Sequence, residues 1–463
     1  VTPTDLLPAP PPRAAARRAL VAGSAGNLVE WYEFGVYGCF ATVIAAHFFT
    51  PPHAAAGSAA GFGPVTAGAE ALVATYASFA LAFFFRPVGA LLFGRLGDRL
   101  GRRPTLVLVI GLMTLATTLI GLLPTRADLG AAAPWLLTLL RALQGLSAGG
   151  EFGGAVALMT EYAPPGRRGL YGAWQSFTVA LGLLSGAGTA AALATLLPAQ
   201  ALYAWGWRIP FLLALPLGLA VLWLRTALEE PPGAPHKPPP SGPLPAKPPP
   251  HGPPPHKPPS APRPGRGVPA RAIVLGIGRI MGWSAAGYTF LVVLPSYLQA
   301  TLGASFREAL LATALANLGF AATILPAGLL SDRLGRRPVM LCGALGVAVL
   351  ALPLLRLLQS PEASAAARAA AVLAAGALVG LLAGPGPAML AEMFPRRVRC
   401  TALGLSYALA NAVFSGCAGL VVTALVAATG DTAVPAYYAA GACALSSLAL
   451  LTLRPTDHLE PLR

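Results

Sequence analysis

Six ionisable side chains stand inside stretches otherwise built mainly from Ala, Leu, Gly and Val: Glu30, Glu33, Arg86, Arg141, Glu151 and Arg279. A charge in an apolar run is costly and marks an ion or ligand pathway. Glu30 and Glu33 are three residues apart and share a helix face with Asn27. Two close carboxylates repel, which favours proton exchange on one of them. Arg141 and Glu151 lie about 15 Å apart along one helix by rise alone, so each must find partners on other helices. Histidine is excluded from a proton path. His47 and His53 fall at an outer surface, His236, His251 and His256 in a proline-rich stretch, and His458 in the tail. The coupling groups are therefore expected among Glu30, Glu33 and Glu151, with the choice between them open. Arg86, Arg141, Arg208 and Arg279 form a cationic set able to hold a carboxylate by paired hydrogen bonds. Trp31, Tyr32, Phe34, Tyr37, Tyr288 and Phe290 either line a cavity or pack and anchor.

These residues need a scaffold, and a repeat reveals it. GRLGDRLGRRP at 94–104 returns as GLLSDRLGRRP at 328–338, nine of eleven positions identical and 234 residues apart. EYAPPGRRG from Glu161 is answered by EMFPRRVRC from Glu392, at an offset of 231. Two echoes at nearly one offset imply a duplicated half, and duplicated membrane halves with a site between them are a transporter plan. Each repeated loop sets an acid among arginines: Asp98 with Arg99, Arg102 and Arg103, and Asp332 with Arg333, Arg336 and Arg337. Gly101 and Gly335 permit the tight turn. Together with Gly94 these residues are expected to form a gate, latched by ion pairs in one conformation and released in another.

The chain has 463 residues, 55% hydrophobic and 11% charged, where a soluble chain would carry roughly a quarter charged. Twelve apolar runs can cross a bilayer: about 19–47, 71–94, 104–123, 134–159, 169–197, 207–227, 270–298, 306–329, 338–358, 366–391, 401–428 and 436–453. The first run carries two carboxylates, lacks a convincing cleavage site and is followed by more spans, so it is read as a span and not a signal peptide. The net charge of +15 does not indicate nucleic acid. Of 32 Lys and Arg, 24 fall on alternate loops and tails and three within spans. Only Arg126, Arg208, Arg307, Arg356 and Arg368 lie on the other side. That asymmetry places both termini in the cytoplasm and the basic loops against anionic lipid. Cys39, Cys342, Cys400, Cys417 and Cys443 suggest neither disulfide nor metal site and are expected as small apolar residues.

Residues 231–268 are proline-rich and hold all three lysines, Lys237, Lys247 and Lys257. Such a segment forms no packed helix or sheet and is expected as a linker. The fold class that follows is an all-α membrane protein with twelve transmembrane helices in two six-helix bundles around a central cavity. Its parts are a tail at 1–18, a bundle at 19–228, the linker at 229–268, a second bundle at 269–455 and a tail at 456–463. Gly145, Gly149 and Gly153 repeat every fourth residue as a close-packing face. Pro87, Pro216, Pro326 and the run Gly384 to Pro387 are expected to bend their helices. Trp205 and Trp207 read as anchors at a membrane edge.

The repeated loop resembles the hallmark of the major facilitator superfamily. GNLVEWYEFGVYG at 26–38, FRPVGALLFGRLGD at 85–98, RALQGLSAGGEFGG at 141–154 and WGWRIPF at 205–211 are similar to its metabolite:proton symporter branch. The resemblance runs from about residue 20 to 455. It implies a proton-driven importer that alternates between inward- and outward-facing states. Its motifs hold Asn27, Gln144 and Arg208, which join Arg86, Arg141 and Arg279 in the expected substrate group, with Tyr288 added from the aromatic set. Arg208 either reaches inward to an anionic ligand or snorkels at the interface. Glu33 stands where the branch usually has Asp, which keeps the charge on a longer arm.

No HExxH, CxxC or P-loop motif appears, and no nucleophile–base order, so an enzyme is not expected. A membrane sensor would carry a soluble output domain. A channel fits the two-half design less well than alternating access. Neither cofactor nor metal is expected. The expected partners are a small molecule, protons and membrane lipid, with no nucleic acid, and the chain is expected to act as a monomer in the inner membrane. Branch members carry di- and tricarboxylates, aromatic acids, or zwitterions such as proline and betaine. Arg279, unusual for the branch, points to an organic acid. The chain ends ten residues after Leu453, so no long coiled-coil tail of the osmosensory kind is expected.

Overall fold

The structure is a computed structural model. It describes residues 13–51, 68–100, 102–149, 152, 156, 159–160, 163–164, 166–226, 270–395, 398–454, 456 and 459, with the side chains of 13–23, 94, 97, 98, 102, 103, 225 and 226 excepted. The expectations for Glu151, Gly101, Gly153, His53 and the proline-rich segment lie outside the described residues. So do those for Gly94 and for the side chains of Asp98, Arg102 and Arg103.

Long apolar runs in lipid must satisfy their own backbone groups, and helices do so within one segment. Among the described residues the helices string into twelve rods joined mostly by short turns. The first half has α1 (Arg13–Cys39), α2 (Ala69–Leu100), α3 (Arg102–Leu122), α4 (Ala132–Ala148), α5 (Arg168–Leu196) and α6 (Arg208–Thr226). The second has α7 (Ala270–Tyr288), α8 (Phe306–Leu334), α9 (Arg336–Gln359), α10 (Ala365–Ala383), α11 (Arg399–Ala410) and α12 (Val434–Leu450). Wide turns, Ala45–Phe49, Thr289–Val293 and Asn411–Gly416, extend α1, α7 and α11. Eight described helices are long and apolar enough to cross a membrane, or nine if the 51° bend before Arg208 lies within one span. The twelve expected runs exceed that number for local reasons. α1 carries its two carboxylates, α12 is only 17 residues long, and the residues just beyond α4, Gly150 and Glu151, lie outside the described ones.

Pro87, Pro216 and Pro326 sit inside unbroken helices. The Gly384 to Pro387 run does interrupt α10, which resumes as Gly386–Met393. Successive rods reverse direction, so both repeated loops fall at one end, the arginine-rich end. The halves meet most extensively along α5 and α8.

One crossing matters for the site. A Cβ on Gly145 would sit 1.8 Å from the Ala82 carbonyl oxygen, and one on Gly149 2.0 Å from that of Arg86. No side chain fits there, so α4 lies directly on α2 and brings Arg141 beside the ring layer around Arg86.

Candidate substrate and proton site

The first half buries an ion pair. Arg86 Nη2 of α2 donates to Glu30 Oε1 of α1 at 3.1 Å, with both side chains about 5% exposed. The guanidinium lies 4.4 Å from the Phe83 ring centre, 4.6 Å from Phe34 and 5.5 Å from Trp31. Aromatic faces attract a cation, and the effect grows where water is excluded. Arg86 Nε has no hydrogen-bond partner. Removing either charge of such a pair strands the other, at about 3–5 kcal/mol.

Glu33 turns the other way. Its Oε2 meets the Thr117 hydroxyl of α3, and Oε1 is buried without a partner. Thr117 in turn receives Gln144 Nε2 at 2.5 Å, and Gln144 Oε1 receives Arg141 Nη1 at 2.7 Å. The four residues form one chain: Glu33, Thr117, Gln144, Arg141. Arg141 is wholly buried, 4.0 Å from the Tyr37 ring centre and 4.7 Å from that of Phe79. Its Nε and Nη2 have no hydrogen-bond partner. The expected partner on another helix is therefore supplied by aromatic faces of α1 and α2. The one hydrogen bond goes one turn along α4 itself. Glu30 and Glu33, though close in sequence, serve different neighbours.

Two small cavities lie between the halves. The first is lined by Asn27, Glu30, Trp31, Arg86, Phe152 and Tyr407, among others. The second is lined by Trp31, Trp283, Tyr288, Tyr407, Asn411 and Ser415, among others. They leave about 20 and 30 Å³, room for a water or two and not for a metabolite. Asn27 Nδ2 donates to Thr178 Oγ1 at 2.6 Å, which fixes it at the edge of the first cavity. Tyr288 packs edge-on to Phe83 and Trp31, and its hydroxyl has no partner.

Both ends are shut. At the arginine-rich end Asp332 accepts from the backbone of Gly169 at 2.7 Å and Leu170 at 2.9 Å, so a second-half acid caps the first-half helix α5. Arg336 Nη1 donates to the same carboxylate at 2.8 Å. The other side of its fork binds Glu392, at 2.9 and 3.2 Å. Arg168 of the first half reaches Glu392 at 3.6 Å. Gly335 has φ +95°, a conformation that favours glycine, and lets α8 turn directly into α9. At the opposite end Thr42 donates to Gln299 at 2.9 Å, and the Tyr76 and Ser296 hydroxyls meet at 2.6 Å.

Several expected site residues lie elsewhere. Arg208 donates to the carbonyls of Gly121 and Leu123 at 2.8 and 2.9 Å, so it satisfies the end of α3 and does not line a cavity. Arg279 donates to Thr452 beyond the end of α12 at 2.9 Å, also off the cavities. Its reading as a substrate ligand, and the organic-acid inference drawn from it, lose their geometric basis. Arg141 and Gln144 sit in the sealed chain and not on a cavity wall. Arg99 and Arg333 are exposed and Arg337 half-buried, outside the Asp332 cluster. Trp207 is fully buried against His47 and Phe211, so only Trp205 remains exposed as an anchor. His47 itself is tied to the Tyr203 carbonyl at 2.8 Å. Cys39 and Cys443 are buried, but Cys342 and Cys400 are exposed. Sequence reasoning missed Thr117, Arg168 and Glu392. The last two stand in the looser echo, a usable signal. A lone threonine in an apolar run gives none.

Two six-helix halves, bridged at both ends around a buried ion pair and carboxylate chain, have the plan of a membrane transporter that works by alternating access. The comparisons give the family. Residues 19–233 match the family described as "Sugar (and other) transporter", and residues 272–463 match "Major Facilitator Superfamily". The chain is 33% identical over 457 residues to the glycine betaine/proline/ectoine/pipecolic acid transporter of Dickeya dadantii, covering 96% of this chain and 85% of that protein. It is 34% identical over 421 residues to the alpha-ketoglutarate permease of Escherichia coli, covering 90% and 88%. A crystal structure of a D-xylose–proton symporter superposes with TM-score 0.70 at 19% identity, covering 97% of this chain and all of that one. This chain belongs to the major facilitator superfamily, in its metabolite:proton symporter branch. It is a proton-coupled symporter of a small metabolite in the inner membrane, not an enzyme.

Proposed function

We propose that Glu33 carries the coupling proton and that Arg86 receives a carboxylate of the cargo. The supporting observation is the split between neighbouring acids: Glu30 is engaged by Arg86, whereas Glu33 has no ion pair and one unpartnered oxygen. Protonating Glu30 would strip Arg86 of its counter-charge. Protonating Glu33 strands no ion-paired cation. Arg86 Nε is unengaged beside the first cavity, so an arriving carboxylate gains two donors of one fork once Glu30 yields. The cargo is then a small organic acid.

A second reading is a zwitterion. Glu30 and Arg86 cancel, so the cavity favours a ligand of no net charge, and the rings of Trp31, Trp283 and Tyr407 suit an ammonium group. The glycine betaine/proline/ectoine/pipecolic acid relative fits this reading, and the alpha-ketoglutarate relative fits the first. We further propose that the arginine-rich end and both termini face the cytoplasm, that the chain acts as a monomer, and that the basic loops lie against anionic lipid. The domain division at residues 229–268 belongs to the same reading.

Uptake into proteoliposomes of labelled glycine betaine, proline, alpha-ketoglutarate and citrate, with and without an inward proton gradient, tests it. Gradient-driven uptake of the two acids supports the first reading, and uptake of the first two compounds supports the second. In either case Glu33→Gln should abolish accumulation and leave counterflow exchange. Accumulation at wild-type level in Glu33→Gln would remove Glu33 from the coupling role.

A further inference from the structure

We infer that Thr117 is the positioning residue that reads the protonation of Glu33 and passes it to Arg141 through Gln144. This rests on the proposal that Glu33 carries the proton. It adds a residue that lines neither cavity and touches no cargo.

A hydroxyl has one hydrogen to give and two lone pairs to receive with. The Thr117 oxygen has three polar neighbours: Glu33 Oε2, Gln144 Nε2 at 2.5 Å and the Met113 carbonyl at 3.0 Å. Gln144 Nε2 can only donate, since its carboxamide oxygen is already fixed by Arg141. Met113 O can only accept. An ionised Glu33 also only accepts. Two acceptors would then compete for one hydrogen, and one close contact would be oxygen against oxygen. Put the proton on Glu33 Oε2 and every contact is satisfied. Glu33 donates to Thr117, Gln144 donates to Thr117, and Thr117 donates to Met113. The arrangement is complete only in the proton-loaded form.

Loss of the proton changes this set in a defined way. The Oε2–H bond breaks, the proton leaves to water, and its electron pair stays on the carboxylate. The Thr117 hydrogen swings from Met113 O to Glu33 Oε2. Glu33 now bears a full charge, and its Oε1 has no partner, like Nε and Nη2 of Arg141. Attraction between them would draw Arg141 off the Tyr37 face, to which it is held at 4.0 Å. Tyr37 stands on α1 and binds Ser78 of α2 at 2.8 Å, so the movement reaches the helix pair that holds Glu30 and Arg86. The titratable groups facing Glu33 are Glu30 and Tyr32 on α1 and Arg141 on α4, and Arg141 in turn faces Tyr37 on α1, Arg86 on α2 and Tyr288 on α7. Of these Glu30 and Arg86 are committed to each other.

The test is the pH profile of uptake in proteoliposomes, read with labelled glycine betaine and labelled alpha-ketoglutarate in parallel. Thr117→Val keeps the shape and removes the hydroxyl, so an ionised Glu33 loses its donor. The protonated acid loses an acceptor too, but the charge-assisted bond to the carboxylate is the stronger of the two, so the fall of uptake with rising pH should move upward, by up to about one unit. Thr117→Ala should give the same displacement, which covers poor packing of valine. Thr117→Ser keeps the hydroxyl and should restore the wild-type profile. Counterflow at a fixed low pH should stay within about twofold in all three. A lower rate with an unmoved profile in both Thr117→Val and Thr117→Ala would overturn the inference, as would failure of Thr117→Ser to restore it. Glu33→Gln separates the two proposals. If it abolishes accumulation while the Thr117 profiles stay put, only the Thr117 role falls. If it accumulates normally, the Glu33 reading falls first.

Discussion

The two halves share a skeleton and differ in chemistry. At the offset of the repeated loop, 234 residues, Ala82 corresponds to Ala316, Arg86 to Phe320 and Thr117 to Ala351. At the offset of the looser echo, 231 residues, Arg141 corresponds to Val372, Gln144 to Ala375, Gly145 to Gly376 and Gly149 to Gly380. The packing glycines do the same work twice. A Cβ on Gly376 would sit 1.9 Å from the Ala316 carbonyl oxygen, as one on Gly145 would sit 1.8 Å from that of Ala82. The polar residues do not recur. Phe320, Ala351, Val372 and Ala375 are all buried and apolar. Phe320 lines the second cavity, while Arg86 lines the first. The duplication thus kept the helix crossing in both halves and the buried ion pair and carboxylate chain in one. Among the described residues the second half contributes a neutral cavity wall and the Asp332, Arg336 and Glu392 cluster that ties it to α5 at the arginine-rich end.

The shared skeleton makes the largest prediction a symmetric one. Gly145→Val and Gly376→Val should each be severely destabilising, by more than about 3 kcal/mol, because backbone and not a flexible side chain stands in the way. Thermal melting of the purified protein in detergent checks it. If one variant melts like the wild type, the two crossings are not equivalent, and the comparison fails at its base.

The next effect belongs to the second half. Asp332→Asn removes the charge that binds Arg336 and caps α5. A latch worth roughly 1–3 kcal/mol shifts the two open forms about five- to 150-fold. Turnover should fall by a comparable factor, with intrinsic cargo binding kept. Cross-linking between engineered cysteine pairs at the two mouths should report the shift. Normal turnover with unchanged cross-linking would reduce this cluster to a topology signal.

Arg86 and Phe320 sharpen the contrast directly. Arg86→Lys keeps a charge but loses the planar fork, so the apparent substrate constant should rise about tenfold or more. Phe320→Leu removes only ring area at the other cavity and should raise it no more than a few-fold. Equal effects of the two would mean that the cargo reads both halves alike.

Much of this was legible in the sequence. The spans, the duplication and the pairing of Asp332 with Arg336 follow from composition and repeat. Glu30, Glu33, Arg86 and Arg141 stand out because charge in lipid is rare. What was hidden is direction. Nothing in the spacing of Glu30 and Glu33 says that one faces α2 and the other α3, because helix rotation is set by packing such as that of Gly145 on Ala82. Arg208 and Arg279 carry the same charge as Arg86, yet helix-end carbonyls and a hydroxyl beyond α12 claim them. Thr117 was invisible because many threonines in apolar helices, Thr118 among them, simply bond back to their own helix.

Arg279 supplies the smallest prediction and the cleanest check on the division of labour. It is the one charge placed within a second-half span by sequence, and a transporter with arginines facing each other across the cavity would need it there. The structure turns it away: Nη2 binds Thr452 at 2.9 Å, and its own carbonyl receives the Ser446 hydroxyl at 3.1 Å. Both contacts tie α7 to the last turns of the chain, so the role is structural. Arg279→Gln should therefore lower the melting temperature modestly and leave the apparent substrate constant within about twofold. The pH profile of uptake should not move. Measuring both constants on one preparation, with Arg86→Lys as the positive control, decides it. A rise of tenfold or more in Arg279→Gln would bring a second-half cation into the cavity. It would also restore the part of Arg279 in the organic-acid reading, at the expense of the neutral wall.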